Sequence, residues 1–193
     1  MEKKTEIRIA GFGGQGIILS GYIIGKAAAI FDNKFSALIQ SFGPEARGSS
    51  CSAQLIISDT QILYPYIVTP QVSIILSREA CDRFSGELEH NGIMLIEKDL
   101  VTPEKLHKSI KVYAIPATRL AEEMGRKIVM NIITVGFFAA TTGITSYEAT
   151  RKAVESSVPG GTEEMNLRAF ETGYKYGEEL LKATKKPVKK EKV

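Results

Sequence analysis

Cysteine and histidine are scarce in this sequence, two of each in 193 residues, and that scarcity narrows the chemistry it can carry. Cys51 and Cys81 are too few and too far apart for an iron–sulfur or zinc centre, which needs four ligands, typically in paired short spacings. No metal site is expected. His90 and His107 have no nucleophile close by in sequence, and no convincing acid–base dyad is present, so no catalytic residue is assigned. Long apolar runs are missing as well. The longest, residues 128–143, is interrupted by Asn131 and Thr134 and falls short of the roughly 18–20 residues that span a bilayer. It reads as a buried helix, with no membrane contact. The opening Met1-Glu2-Lys3-Lys4-Thr5-Glu6 lacks the apolar core of a secretion signal, which predicts a reducing, cytoplasmic setting.

Charge of one sign is short in most of the chain, although the total of +3 hides this. Residues 182–193 carry six lysines against Glu191, a balance of +5, which leaves −2 for residues 1–181. The body is mildly acidic. A Lys-rich end of this kind is normally a solvated extension, so residues 184–193 are expected to be a disordered tail with no role in nucleic-acid binding. With 44% hydrophobic and 24% charged residues, residues 1–183 have the composition and length of one ordinary globular domain.

What is abundant is glycine at one place. Ile7-Arg8-Ile9-Ala10 reads as a strand, Gly11-Phe12-Gly13-Gly14-Gln15-Gly16 as a turn, and the apolar stretch that follows as a helix over 14–31. Gly11, Gly13 and Gly16 fit the G-x-G-x-x-G spacing, whose glycines allow a tight turn, close backbone approach to a phosphate and close helix–strand packing. A helix starting here aims unpaired N–H groups and the positive end of its dipole into the turn, an arrangement suited to phosphate or carboxylate. The plainer alternative is that the glycines serve packing alone. A nicotinamide site is not expected, because the second strand, residues 35–41, ends in Gln40 and Ser41 where a ribose-binding carboxylate should stand. Asp32 precedes that strand, at the wrong edge.

A second unusual stretch, residues 40–50, combines the loop markers Gly43, Pro44 and Gly48 with the opposed charges Glu45 and Arg47 and a cluster of hydroxyls. Beyond it, strands are read at 51–58, 72–76, 93–96 and 111–115, with a helix over 78–88, a short helix opened by Pro103, and a helix begun by Pro116. The remainder is helical: 127–142, 146–155 capped by Ser146, and 163–183 with Thr162 at its cap position. Gly21 and Gly25 are read as packing positions. The stripe of Met165, Ala169, Phe170, Gly173, Tyr174, Gly177, Leu180 and Leu181 shows that the last helix docks on something. Strands alternating with helices and then a run of helices predict an α/β, Rossmann-like, doubly wound and mostly parallel sheet, with helices on both faces and a C-terminal helical layer. Ligands of such sheets gather beyond the carboxyl ends of the strands, which brings the glycine turn and the 43–50 loop to one edge.

Taken together, Gly11-Phe12-Gly13-Gly14-Gln15-Gly16 and Gln40-Ser41-Phe42-Gly43-Pro44-Glu45-Ala46-Arg47-Gly48 closely resemble the gamma subunit of the 2-oxoacid:ferredoxin oxidoreductases. The likeness continues through Ser52-Ala53, Ile56-Ile57-Ser58, Asn131 with Gly136, and the closing helix, and its wording is most similar to the 2-oxoglutarate branch. The resemblance implies a complex that decarboxylates a 2-oxoacid with thiamine diphosphate, passes electrons through iron–sulfur clusters to ferredoxin and releases an acyl-coenzyme A. It implies that these cofactors sit on, or are shared with, alpha, beta and in some members delta subunits, and that this chain binds none alone and is inactive alone. Its expected part is to shape the active-site surroundings and receive coenzyme A, through Gly11, Gly13, Gly14, Gln15 and Gly16 with Gly43, Pro44, Glu45, Arg47 and Gly48. Arg47 would anchor a coenzyme A phosphate or pair with a partner carboxylate; in the plainer reading it pairs with Glu45. Gln15 is read as orienting its loop, and Asn131 as satisfying backbone within its helix. The alternatives are a gamma subunit for pyruvate, branched-chain 2-oxoacids or indolepyruvate, a scaffold with a vestigial turn, and a free-standing or regulatory protein binding flavin or nicotinamide.

Overall fold

The structure, a computed structural model, describes residues 4–42, 50–104 and 106–185. A six-stranded sheet runs through its middle: β1 (Lys4–Phe12), β2 (Phe35–Phe42), β3 (Ser50–Ser58), β4 (Val72–Ile75), β5 (Ile93–Glu97) and β6 (Lys111–Ile115), in the spatial order β2-β3-β1-β4-β5-β6. The pairs β1–β4, β4–β5 and β5–β6 are parallel, whereas β3 is antiparallel to both β1 and β2. β2 therefore points the same way as β1 but sits one place further out. A parallel return needs a crossover of a dozen or more residues, and only 43–49 separate β2 from β3, so β3 can come back only antiparallel.

Helix α1 (Ile17–Lys26), extended by a π-helical turn over Ala27–Phe31, lies on one face of the sheet. The glycines that the pattern marks as packing positions make this approach: a Cβ on Gly21 would stand 2.9 Å from Leu38 Cδ1, and one on Gly25 3.1 Å from Leu55 Cδ1. On the opposite face lies α2 (Arg78–Phe84), capped by the Ser77 hydroxyl, which accepts from the Ala80 N–H at 3.2 Å. Its Ala80, Cys81 and Phe84 pack under Ala10, Ile75, Met94 and Ile96. The larger core forms on the α1 side, where Ile7, Ile9, Leu55, Ile74 and Leu95 meet Ile23, Ile24, Ile133 and Phe137. That side also carries α3 (Ala117–Glu123), α4 (Met130–Thr142), α5 (Tyr147–Glu155) and α6 (Glu163–Lys185). The fold is thus α/β, with the C-terminal helical layer that the strand and helix pattern predicts.

Contact between α4 and α6 explains the small residues of both. A Cβ on Gly173 would overlap the Ile133 carbonyl and come within 3.0 Å of the Phe137 nitrogen; one on Gly136 would overlap the Phe170 carbonyl. Only glycine lets the two backbones touch in this way. α4 ends at Gly143, left-handed at φ 61°, and α5 begins at Ser146, whose hydroxyl accepts from the Ala149 N–H. Asp32 closes this corner, accepting from the Ser146 N–H and hydroxyl at 2.8 and 2.7 Å.

Two local readings need correction. Helix α1 starts at Ile17 rather than at residue 14, because Gly14 (φ 99°) and Gly16 (φ 70°) are left-handed and cannot continue a helical turn. Among the described residues no helix follows Pro103: the chain instead turns at His107, whose carbonyl accepts from the Ile110 N–H and whose ring bonds the Ser109 hydroxyl at 2.8 Å. None of the helices among the described residues is long and apolar enough to cross a membrane.

Candidate functional site

The glycine turn is locked by one side chain. Gln15 Oε1 accepts from the Phe12 N–H at 2.7 Å, while its Nε2 donates to the Leu76 carbonyl at 3.0 Å, so a single amide ties the end of β1 to the residue that follows β4. The Gln15 N–H donates to the Phe12 carbonyl at 3.1 Å and closes the turn. A side chain at Gly11 would collide with Gln15 Oε1, and Gly16 is left-handed with no side-chain cap of its own. The first intrahelical bond runs from the Ser20 N–H to the Gly16 carbonyl. The N–H groups of Ile17, Ile18 and Leu19 therefore lack intrahelical acceptors.

Those three residues line a cavity of about 570 Å³ together with Phe12, Gly13, Gly14 and Gly16. Its opposite wall comes from far along the chain: Arg126, Ile128, Val129 and Asn131 ahead of and in the first turn of α4, and Val158, Pro159, Thr162, Met165 and Asn166 at the start of α6. Phe42 and Cys51, which flank residues 43–49, complete it. The beginnings of three helices converge on one space, with the exposed guanidinium of Arg126 at its border. The combination suits a ligand or segment that is largely apolar and carries an anionic group.

Strand register brings Phe42 and Ser50, which flank residues 43–49, to the edge where the glycine turn begins, since Phe12 stands opposite Ser50 and Phe42 opposite Cys51. The candidate residues Gly43, Pro44, Glu45, Arg47 and Gly48 themselves lie outside the described residues. Ser50 and Cys51 of β3, not the end of β2, stand beside the end of β1, where a nicotinamide site would keep its ribose-binding carboxylate. Burial pushes the Cys51 thiol above its ordinary range, so it behaves as an apolar wall residue.

Asn131 does not perform the expected service to its own helix. Among the described residues its amide has no backbone partner, and it packs on Gly16, where a Cβ would sit 2.8 Å from Asn131 Cβ. Thr162 is at its cap position by backbone, its carbonyl accepting from the Asn166 N–H at 3.0 Å; its hydroxyl is spent on the Pro159 carbonyl and the Asn166 amide. Nothing in periodicity points to Arg126, Thr162 or Asn166 as wall residues. Gly125, left-handed at φ 76°, marks the turn that delivers Arg126, and is the one local signal available.

Glu97 is fully buried at the end of β5. It accepts from the Asp99, Leu100 and Thr118 N–H groups at 2.7, 2.9 and 3.1 Å, so its oxygens are committed to holding the β5 and β6 exits. Iron–sulfur clusters find no fitting donor set among the described residues: no three His, Cys, Asp or Glu side chains gather there as metal ligands, and Cys51 and Cys81 are buried on opposite faces of the sheet.

Comparison with known proteins gives these features a context. The pyruvate ferredoxin/flavodoxin oxidoreductase family profile matches residues 6–176. The chain is 43% identical over 182 residues to the 2-oxoglutarate synthase subunit KorC of Methanocaldococcus jannaschii, covering 93% of this chain and 97% of that one. It is 28% identical to the ketoisovalerate oxidoreductase subunit VorA of Methanothermobacter thermautotrophicus over 92% of this chain, yet this spans just 37% of VorA. Among solved structures it is similar to the keto/oxoacid ferredoxin oxidoreductase gamma subunit of Geobacter sulfurreducens, with a TM-score of 0.78, 40% identity, and coverage of 90% of this chain and 98% of that one.

Proposed function

The chain belongs to the gamma-subunit family of the 2-oxoacid:ferredoxin oxidoreductases, and from that premise we propose that it is the accessory subunit of a 2-oxoglutarate:ferredoxin oxidoreductase, working beside alpha, beta and delta-type partners in the cytoplasm. The greater likeness to KorC than to VorA supports 2-oxoglutarate over branched-chain 2-oxoacids. The complex converts the 2-oxoacid to an acyl-coenzyme A while reducing ferredoxin; thiamine diphosphate and the clusters belong to the partners, which supply the reactive groups. Residues 1–183 act as one domain.

In this reading the cavity beside the glycine turn faces the partners and receives part of coenzyme A. The observation that carries it is the convergence of the N–H groups of Ile17–Leu19, which have no intrahelical acceptor, with Arg126 and an apolar wall on one space of about 570 Å³. The wall accepts the apolar arm of a coenzyme, and the helix start and guanidinium favour its anionic end. Gln15 holds the turn in shape, and Arg47, which lies between Phe42 and Ser50 in the sequence, supplies a second cation.

Arg126→Ala and Arg47→Ala, each placed in the reconstituted complex, test this. A lost phosphate contact should raise the apparent KM for coenzyme A by about tenfold, with the KM for 2-oxoglutarate unchanged. Unchanged coenzyme A kinetics and unchanged assembly in both variants would remove the cavity from the site.

A further inference from the structure

The connection from β3 to β4, residues 59–71, crosses the face of the sheet opposite α1, and is secured there rather than loose. The Ile67 N–H donates to Gln54 Oε1 at 3.1 Å, and the Val68 and Thr69 N–H groups donate to Glu6 Oε2 at 2.6 and 3.0 Å. Ala53 and Leu55 face α1, so Gln54 faces away from it. The strap carries no charged residue from 60 to 71, and neither does the edge strand β2 from 35 to 42.

An anchored strap would be expected to turn its apolar side chains inward. Instead Leu63 is 87% and Val68 74% exposed, with Tyr64, Tyr66 and Phe35 about half exposed. The rings of Tyr64 and Tyr66 meet in a tilted pair, with centroids 5.4 Å apart and planes at 48°. Phe35 lies on this same face, because its neighbours Ser36 and Leu38 point to α1. On this face α2 covers only the region of β1, β4 and β5. Among the described residues the β2–β3 half carries the strap alone. A charge-free surface rich in tyrosine, beside an eight-residue edge strand without a charge or proline, matches the centre of a protein interface and lacks the usual protection of a free edge.

We infer that the surface formed by Phe35, Leu63, Tyr64, Tyr66 and Val68 is the site where this subunit docks on a larger subunit of the same oxidoreductase. The inference rests on the accessory-subunit reading above and adds a second contact, on the other face of the sheet from the cavity. VorA identifies the occupant: there the same unit is about a third of a longer polypeptide, joined covalently to the rest. KorC, matched over 97% of its own length, is a subunit without such a tether, and a subunit of that size needs apolar surface to hold the same neighbour. The strap supplies that surface while its backbone stays pinned by Glu6 and Gln54, which keeps the ordering cost of docking low.

The test compares binding of wild-type chain and Tyr64→Asp/Tyr66→Asp to the companion subunits of the complex, with thermal unfolding of each purified chain alongside. The expected result is assembly weakened at least about tenfold with the unfolding midpoint unchanged, because these rings are exposed in the free chain. If the midpoint falls, the milder Leu63→Ser/Val68→Ser reads the same surface. Assembly equal to wild type in either correctly folded variant overturns the inference. So does a wild-type dimer that the variant disperses while assembly with the companions is untouched, since the occupant is then a second copy. Failure of the wild-type chain to bind any companion overturns the subunit reading itself.

Discussion

Glu6 is 7% exposed, accepts from the Val68 and Thr69 N–H groups, and pairs with the Lys4 ammonium at 2.7 Å. Burial alone would push its carboxyl up; the Lys4 contact and the two backbone bonds outweigh it and hold the group below its ordinary value of 4.5. Folded Glu6 thus releases its proton more readily than unfolded Glu6. Its contribution to stability is fully present above about pH 4.5 and is lost as pH falls through the lower folded value. Glu6→Gln should cost about 1.5–3 kcal/mol in denaturant unfolding at pH 7, with the gap to wild type closing in acid. A gap independent of pH would show that the charge is not what pins the strap. No local pattern marks Glu6 for this role, because Val68 and Thr69 are more than sixty residues away. Gln15 is legible in part: its bond from the Phe12 N–H lies within its own glycine turn, whereas its bond to the Leu76 carbonyl spans 61 residues and has no local signal.

At the scale of elements, the strand and helix pattern was readable because the periods are clean. The strand at 111–115 is read to the residue, and β2 extends just one residue past its expected end. The order of the strands was not readable, since alternation says which face a residue takes and nothing about which strand lies beside it. The short 43–49 connection was the available signal that β3 inserts between β1 and β2. The stripe on α6 foretold docking but not its partner, which is α4, met backbone to backbone at Gly136 and Gly173. Gly173→Ala should therefore destabilise by about 3 kcal/mol or more, at or above the usual range for overpacking, because a backbone carbonyl stands in the way. Gly86→Ala meets nothing within 4 Å and serves as the near-neutral comparison in the same urea series. Equal effects at the two positions would refute the close helix crossing.

For the molecule as a whole, half of the cavity was legible and half was not. Gly13, Gly14 and Gly16 announce their wall through a dense motif, whereas Arg126, Val158 and Asn166 arrive from more than a hundred residues away through folding alone. Both walls gather at the carboxyl edge of the sheet, where an α/β fold of this kind places its ligands. In the proposed function the chain offers shape, N–H groups and the Arg126 cation there, and the reactive groups come from partner subunits. Its surface fits that division, with one apolar cavity by the glycine turn and one uncharged strap on the reverse face. The central claim is that this protein contributes to the reaction only as part of an assembly. The most direct measurement is 2-oxoglutarate- and coenzyme A-dependent reduction of ferredoxin by the companion subunits alone, by this chain alone, and by the two recombined. The account predicts no turnover from this chain, loss of turnover when it is left out, and recovery on adding it back. Turnover by the isolated chain, or full activity of the companions without it, would contradict the account.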